Sequence, residues 1–338
     1  LRPTPDGVRA RVAGAGAFAI SLAAEQDGLL ELEIANVDPA AIVQVYSPAR
    51  TLEVPARTGT TTRSTTVPLA AGETSWIRSE RPCPPRFRIA VTADIQTNTW
   101  QFERIVDRLI AEAGEAERAG EPLVALLIAG DLAEASRDDE YEVVAQVLAR
   151  LPFPAAVTAG NHDVYRPTYP QFNRNFGPGN YAFDICDVHV ALLDSGSGTI
   201  APSVLARLPE LLDRGEARHS LAVMHHPPYA GLTGAGWSRE DLAMLTLVEL
   251  AAADVDLVLA GHSHALHDFP AISVGDRELR EIIVGTAGAL QGGGVPRYGY
   301  LRLAFDGDTM SPCFVEVPPL GYDGPPNEPL RTLDYCAD

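Results

Sequence analysis

The pattern of apolar and polar positions changes near residue 85. Before that point, short apolar segments such as Gly7–Val12, Gly28–Ile34 and Ala41–Tyr46 are separated by Gly, Pro, Asn and Asp. No window there carries the 3.6-residue period of an amphipathic helix. Short strands separated by frequent turn residues predict a small all-β domain over residues 1–84. The Pro-rich residues 81–85 predict a stiff linker.

After residue 85, buried apolar runs alternate with amphipathic stretches, which predicts an α/β domain over residues 85–320. The predicted strands are Arg86–Ala93, Leu123–Ala129, Ala155–Thr158, Val188–Leu193, Ser220–Met224, Val255–Ala260, Ile282–Val284 and Tyr300–Ala304. The predicted helices are Trp100–Arg118, Asp139–Arg150, Ser203–Asp213 and Ser238–Ala252. Residues 321–338 contain several Pro and Gly, so we expect an extended C-terminal tail there.

The composition is that of a globular protein without a membrane span. Of the 338 residues, 46% are hydrophobic and 21% are charged, and no run approaches the roughly 20 apolar residues that cross a bilayer. The formal net charge of −19 argues against a protein that wraps nucleic acid or lies on an anionic membrane. We therefore expect no nucleic-acid partner, and the sequence does not indicate an oligomeric state.

The cysteines leave the redox state open. The chain has Cys83, Cys186, Cys313 and Cys336, and no two of them form a C-x-x-C motif. They could form disulfides, in any of three connectivities, or remain buried free thiols. Because the chain begins at Leu1, either a targeting segment has been removed or the chain has been trimmed. We expect a secreted or periplasmic location, with the cytoplasm as the alternative.

Polar residues of the kinds that bind metals follow five of the predicted strands directly. In chain order, these motifs are Asp94-Ile95-Gln96, Gly130-Asp131, Gly160-Asn161-His162-Asp163, His225-His226-Pro227 and Gly261-His262-Ser263-His264. Loops at the carboxyl ends of strands in an open α/β sheet meet in one crevice. Each residue alone has an ordinary structural explanation, such as a helix cap, a turn or a core histidine. Five such placements in succession predict a metal site instead.

These motifs, in this order and at this spacing, resemble those of the calcineurin-like metallophosphoesterases, and the resemblance covers about Arg86 to Val317. It implies an α/β fold with a β-sandwich core flanked by helices. It also implies two metal ions bridged by Asp131. One ion would be held by Asp94, Gln96, Asp131 and His264, and the other by Asp131, Asn161, His225 and His262.

The resemblance also suggests which residues act on the substrate. His162 would steady the transition-state oxygens and protonate the leaving group, and a structural histidine is the alternative. His226 could exchange roles with His225, although the His-x-Pro motif of the family favours His225 as the ligand. Independently of the resemblance, Arg166 lies just beyond the Gly-Asn-His-Asp motif and could bind a substrate phosphate, with a surface ion pair as the alternative.

The charge of such a centre favours a phosphate ester as the substrate. Two divalent ions less two carboxylates leave about +2, or about +1 with a bridging hydroxide, on an otherwise acidic protein. We therefore expect a metal-dependent hydrolase that cleaves small phosphomonoesters or phosphodiesters by attack of that hydroxide, with His162 assisting the leaving group. The alternatives are a catalytically weak metal-binding or scaffold protein of the same fold, and a nuclease, which the negative charge disfavours.

Two positions depart from the family pattern. The first motif usually ends in His but here ends in Gln96, whose amide oxygen is a harder ligand than imidazole. We expect Mn²⁺, Fe²⁺ or Zn²⁺, with Mg²⁺ also suited to an oxygen ligand. The β-rich amino-terminal domain resembles that of purple acid phosphatases, but Glu134 stands where those enzymes have a metal-binding Tyr.

Overall fold

The computed structural model describes residues 2–5, 7–47, 50–57, 59–165, 169–229, 237–291, 296–321 and 333–336. The amino-terminal part is all β. Its strands are β1 (Arg2–Thr4), β2 (Gly7–Arg11), β3 (Ala19–Ala23), β4 (Gly28–Ala35), β5 (Ile42–Tyr46), β6 (Thr51–Val54), β7 (Arg63–Leu69) and β8 (Thr74–Glu80). They form two four-stranded sheets with the orders β1-β2-β4-β7 and β3-β8-β5-β6. Val43, Val67 and Ile77 are fully buried in a shared core, which confirms the predicted small β domain.

Two larger sheets form the centre of the remaining described chain. The first has the order β11-β10-β9-β20-β21 and contains β9 (Arg86–Thr92), β10 (Leu123–Ile128), β11 (Ala155–Val157), β20 (Gly299–Asp306) and β21 (Thr309–Glu316). The second has the order β12-β13-β14-β15-β19-β16 and contains β12 (Tyr181–Ile185), β13 (Val188–Leu193), β14 (His219–Met224), β15 (Leu257–Ala260), β16 (Leu266–Asp268) and β19 (Glu281–Val284). A separate hairpin pairs β17 (Ile272–Val274) with β18 (Arg277–Leu279).

Helices cover the outer faces of these two sheets. They are α1 (Thr99–Ala119), α2 (Asp138–Leu148), α3 (Tyr169–Phe176), α4 (Pro202–Leu205), α5 (Leu208–Leu211) and α6 (Glu240–Ala252). Helices α1 and α2 contribute to the core on the first sheet, and α5 and α6 to the core on the second. A third apolar core lies between the sheets. This arrangement confirms the predicted β-sandwich flanked by helices, and no helix in the described ranges could span a bilayer.

The predicted helix Ser203–Asp213 is wrong as a single element. The chain instead forms the two short helices α4 and α5, separated at Ala206 and Arg207. Pro209 explains the break, because it has no N–H to bond the carbonyl oxygen of Leu205 in a continuous helix and its ring would clash with that carbonyl, whereas it is tolerated in the first turn of α5.

Both pairs of cysteines form disulfides. Cys83 joins Cys186 and so connects the Pro-rich linker to the turn between β12 and β13. Cys313 in β21 joins Cys336. Beside it, Phe314 pairs with Tyr335, so the described end of the predicted tail is fixed to the first sheet.

Candidate metal centre

The predicted ligands come together at the edge where β9, β10, β11, β14 and β15 end. Strands β9 to β11 run parallel, as do β14 and β15, so within each set the carboxyl ends face the same way. Five of the predicted ligands have left-handed backbone: Asp94 (φ 64°), Gln96 (41°), Asp131 (55°), His262 (70°) and His264 (46°). Left-handed backbone is unfavourable for residues other than glycine, and such strained residues are found most often at functional sites.

Asp131 is fully buried at the centre of these side chains. Its Oδ1 accepts a hydrogen bond from the main-chain N–H of His162 at 2.8 Å. Its Oδ2 accepts one from the amide nitrogen of Gln96 at 2.6 Å and lies 3.3 Å from Nε2 of His225. A Cβ atom on Gly160 would stand 2.1 Å from Oδ1, so this approach requires glycine. Because the nitrogen of Gln96 faces Asp131, the role of Gln96 as a metal ligand stays a prediction.

Asn161 and two histidines converge on one point beside Asp131. The Oδ1 atom of Asn161 lies 2.9 Å from Nε2 of His225 and 2.9 Å from Nδ1 of His262. The ring of His225 is fully buried, and its Nδ1 lies 2.8 Å from the carbonyl oxygen of Ala129. That contact fixes the ring and turns Nε2 toward the other ligand atoms.

Asp94 and His264 complete a second group of ligand atoms. The carboxylate of Asp94 accepts from the main-chain N–H of His262 at 2.9 and 3.1 Å. Nε2 of His264 lies 3.7 Å from Asp94 Oδ1, and its Nδ1 contacts the carbonyl oxygen of Leu290 at 3.0 Å. One ligand atom each from Asp94, Asp131 and His264 lie within 4.8 Å of one another, which fits a single ion.

His226 also belongs to this centre. Its ring offers a ligand atom within 4.8 Å of those of His225 and His262. Its Nδ1 is buried and has no hydrogen-bond partner among the described residues. A buried polar atom without a partner is unfavourable unless a ligand satisfies it. Both histidines considered from the sequence are therefore close enough to contribute.

Burial and mutual charge set the protonation of these groups. Burial, with the charge of Asp131, raises the pKa of Asp94 to about 8. Burial alone would raise the pKa of Asp131 too, but the charge and hydrogen bond of His225 outweigh it and lower that pKa well below its usual range. Burial and the charge of His225 lower the pKa of His262 to about 4 and that of His226 to about 3. Both rings therefore favour the neutral form, which is the form that binds a metal ion, and a bound ion would favour the neutral form of His225 as well.

His162 lies beside the cluster, with its ring held by Glu134. Nδ1 of His162 is 2.7 Å from the main-chain oxygen of Glu134 and 3.4 Å from its Oε2. Nδ1 therefore carries a proton, which leaves Nε2 for a substrate. The ring centroids of His162 and Tyr165 are 5.1 Å apart. Arg166, the predicted phosphate-binding residue, lies outside the described residues.

Asp163 supports the candidate site and was assigned no role from the sequence, although it is the fourth residue of the Gly-Asn-His-Asp motif. It is fully buried. Its carboxylate accepts from the main-chain N–H groups of Gly160, Leu132 and Ala133 and from the hydroxyl of Tyr141, at 3.0 to 3.3 Å. These bonds tie the loop after β10 to the loop after β11, so Asp163 fixes the position of Asp131 relative to Asn161.

The donor set fits divalent metal ions. Carboxylates, amide oxygens and imidazoles together suit Mn²⁺, Fe²⁺ and Zn²⁺. A nearby cation would favour the ionised form of the buried Asp94 carboxyl, and Nδ1 of His226 has no hydrogen-bond partner in the part of the chain that the structure describes. The two groups of ligand atoms therefore form a candidate two-metal centre.

Residues 87–266, more than half of the chain, match the family model of the calcineurin-like phosphoesterases. The chain belongs to the calcineurin-like phosphoesterase family. This confirms the resemblance of the five motifs. Calcineurin-like phosphoesterases generally depend on two metal ions, in agreement with the two groups of ligand atoms.

Two curated relatives of this calcineurin-like phosphoesterase are similar over part of their length. One is the glycerophosphodiester phosphodiesterase GpdQ of Enterobacter lignolyticus, 29% identical over 116 residues, or 31% of this chain and 42% of the relative. The other is a probable cyclic nucleotide phosphodiesterase of Fibrobacter succinogenes, 26% identical over 151 residues, or 41% of this chain and 57% of the relative. The chain thus matches between two fifths and three fifths of the length of these relatives.

One solved structure is similar to this protein over nearly the whole length of the chain. The purple acid phosphatase PPD1 from yellow lupin seeds aligns with a TM-score of 0.59 at 13% identity, covering 91% of this chain and 71% of the phosphatase. At this identity the likeness concerns the fold alone.

Proposed function

We propose that this calcineurin-like phosphoesterase is a metal-dependent hydrolase of phosphoric esters that prefers small phosphodiesters to phosphomonoesters. One observation carries the proposal: ligand-type side chains from five strand ends converge around the buried carboxylate of Asp131. The two curated relatives, both named as phosphodiesterases, support the choice of diesters over monoesters.

The ligand assignment of the proposal is the one expected from the sequence, with Asp131 shared. One ion is assigned to Asp94, Gln96, Asp131 and His264, and the other to Asp131, Asn161, His225 and His262. When bound, two divalent ions would supply positive charge for the phosphoryl oxygens and an activated water molecule for the attack. Mn²⁺, Fe²⁺ and Zn²⁺ are the candidates, with Mg²⁺ also possible for the oxygen ligands.

The chain itself supplies the proton for the leaving group. In its protonated form, His162 donates the proton on Nε2 to the ester oxygen as the bond from phosphorus to that oxygen breaks. The main-chain oxygen of Glu134 holds the ring from the other side. The hydrogen bond from the N–H of His162 to Asp131 keeps the ring beside the metal ligands.

We also propose that the protein works in an oxidising compartment, as a secreted or periplasmic enzyme, with the cytoplasm as the alternative. The support is that all four cysteines are paired in disulfides. Disulfides persist in secreted and periplasmic proteins and are rare in the cytosol.

The hydrolysis of bis-p-nitrophenyl phosphate and p-nitrophenyl phosphate with added Mn²⁺ tests the proposal. We expect the diester to be hydrolysed faster, activity to disappear with a chelator, and Mn²⁺ to restore it. Asp94→Asn should be inactive, because it removes one of the two anionic ligands, while His267→Ala, at an exposed histidine of β16, should match the wild type. No hydrolysis of either ester by the Mn²⁺-loaded wild type would favour the scaffold alternative.

A further inference from the structure

The amino-terminal domain holds both ends of one segment of the catalytic domain. This segment, residues 155–177, contains β11, the turn Asn161–Asp163, helix α3 and Gly177, and its residues 166–168 lie outside the described ranges. It carries Asn161, a predicted metal ligand, and His162, the predicted general acid.

The start of the segment lies at a sheet edge that Asn36 covers. Strand β11 is the outermost strand of its sheet, so the N–H and C=O of Ala155 point away from β10 and need other partners. The side chain of Asn36 supplies both. Its Oδ1 accepts from the N–H of Ala155 at 2.8 Å, and its Nδ2 donates to the carbonyl oxygen of Ala155 at 2.9 Å. Asn36 is buried, has left-handed backbone (φ 64°), and also donates to the carbonyl oxygen of Val12 at 2.8 Å.

The next outward-facing residue of β11 is held in the same way. The N–H of Val157 donates to the hydroxyl oxygen of Tyr181 at 3.1 Å. That hydroxyl lies 3.1 Å from the carbonyl oxygen of Ala13 and 3.0 Å from that of Val157, and donates to one of them. The edge of β11 is therefore covered along its length, partly by the amino-terminal domain.

One arginine joins the two ends of the segment. Arg11 donates from Nη2 to the carbonyl oxygen of Ala155 at 2.9 Å and from Nη1 to that of Phe176, the last residue of α3, at 3.1 Å. Arg2 adds bonds to the carbonyl oxygen of Arg174 at 3.1 and 2.7 Å. Cations at the carboxyl end of a helix are favoured by its dipole. Burial lowers the pKa of Arg11 to about 10, which still leaves it charged at neutral pH.

We propose that Asn36 and Arg11 are positioning residues through which the amino-terminal domain sets the place of Asn161 and His162 against Asp131. Asn36 and Arg11 hold the strand that leads into Asn161, and Arg11 also holds the helix that follows His162. A displacement of about 1 Å at a catalytic group can cost about 10²-fold in rate. The expected loss of kcat rests on the proposed hydrolase function, whereas the expected change in the structure of residues 155–177 does not.

The kinetic test compares Asn36→Ala and Arg11→Ala with two matched controls. Arg9→Ala removes an exposed arginine from the same strand, where it pairs with Glu33 of its own domain. Val67→Ala weakens the buried core of the amino-terminal domain without touching the segment. We expect kcat to fall by about 10- to 100-fold in Asn36→Ala and Arg11→Ala, with KM little changed, and to stay near wild type in both controls. A similar loss in Val67→Ala would overturn the proposal, because general destabilisation would then explain the effect.

A double-mutant cycle shows whether Asn36 acts through His162. If it does, Asn36→Ala should cost a smaller fold-loss in rate once His162→Ala is present, since one of the two groups being positioned is gone and only the effect through Asn161 remains. An equal fold-loss in both backgrounds would overturn this part of the proposal.

Amide hydrogen exchange tests the same claim without catalysis. Peptides from residues 155–177 should exchange faster in Asn36→Ala and Arg11→Ala than in Arg9→Ala, while peptides from β14 and β15 should not change. Faster exchange throughout the chain, or no change in the segment, would overturn the proposal. If the wild type hydrolyses no ester, the proposed function fails, and the exchange result alone decides the positioning claim.

Discussion

The main-chain N–H of His162 donates to Oδ1 of Asp131 at 2.8 Å. The main chain of His162, the predicted general acid, is therefore hydrogen-bonded to the side chain of Asp131, the predicted bridging ligand. Replacing the side chain of His162 leaves this bond in place, so its effect on chemistry can be separated from an effect on metal binding. Replacing Asp131 removes the bond and the bridging ligand together.

His162→Ala should lower kcat by about 10²- to 10⁴-fold, the usual contribution of a general acid. Metal content should match the wild type, because the backbone bond to Asp131 remains. The deficit should shrink for esters whose leaving group has a low pKa, since such a group departs without a proton. His267→Ala is the control for loss of a histidine. Loss of metal, or an equal deficit for every leaving group, would show that His162 has another role.

Glu281 should make stability depend on pH. Its side chain is buried in β19, its Oε1 has no hydrogen-bond partner among the described residues, and burial raises its pKa to about 7. Between its usual pKa near 4.5 and pH 7, the folded state holds the proton more tightly than the unfolded state, so stability falls as pH rises through this window.

Glu281→Gln removes that dependence. We expect the free energy of unfolding of Glu281→Gln minus that of the wild type to rise by about 2–3 kcal/mol from pH 5 to pH 8, because only the wild type loses stability over this range. Denaturant unfolding at both values measures it, with Glu278→Gln at an exposed position of β18 as the control. A difference that does not change with pH would mean that Glu281 ionises normally.

The disulfides should be detectable and should stabilise the fold. Thiol titration of the unfolded protein should find no free cysteine until a reductant is added. The double replacement Cys313→Ser, Cys336→Ser opens a loop with a sequence separation of 23 and should lower the free energy of unfolding by about 3 kcal/mol. Free thiols in protein purified from an oxidising compartment would contradict the pairing.

The sequence predicted the strands that carry the site because each is a buried apolar run ending in a polar motif. Strands β9, β10, β14 and β15 are of this kind, and the resemblance of the motifs to a known family added the ligand roles. Short strands such as β16 to β18 have no such signal, since three residues are too few to show a period. Helix α3 lies within a stretch for which we predicted no helix.

Long-range contacts are the part that a single sequence does not reveal. Asn36 and Ala155 are 119 positions apart, and nothing in the sequence around Asn36 distinguishes it from a turn residue. The same holds for Arg11 and Phe176. The division into residues 1–84, 85–320 and 321–338 stays a prediction.

The metal content of the purified chain tests the central claim most directly. After removal of metals, reconstitution with Mn²⁺ and exhaustive dialysis, elemental analysis should find two ions per wild-type chain. Asp131→Asn, which keeps the shape of the side chain but loses the bridging charge, should bind fewer than two and lose activity toward every ester. A wild-type chain that retains no metal, or an Asp131→Asn chain that retains both ions, would contradict the account.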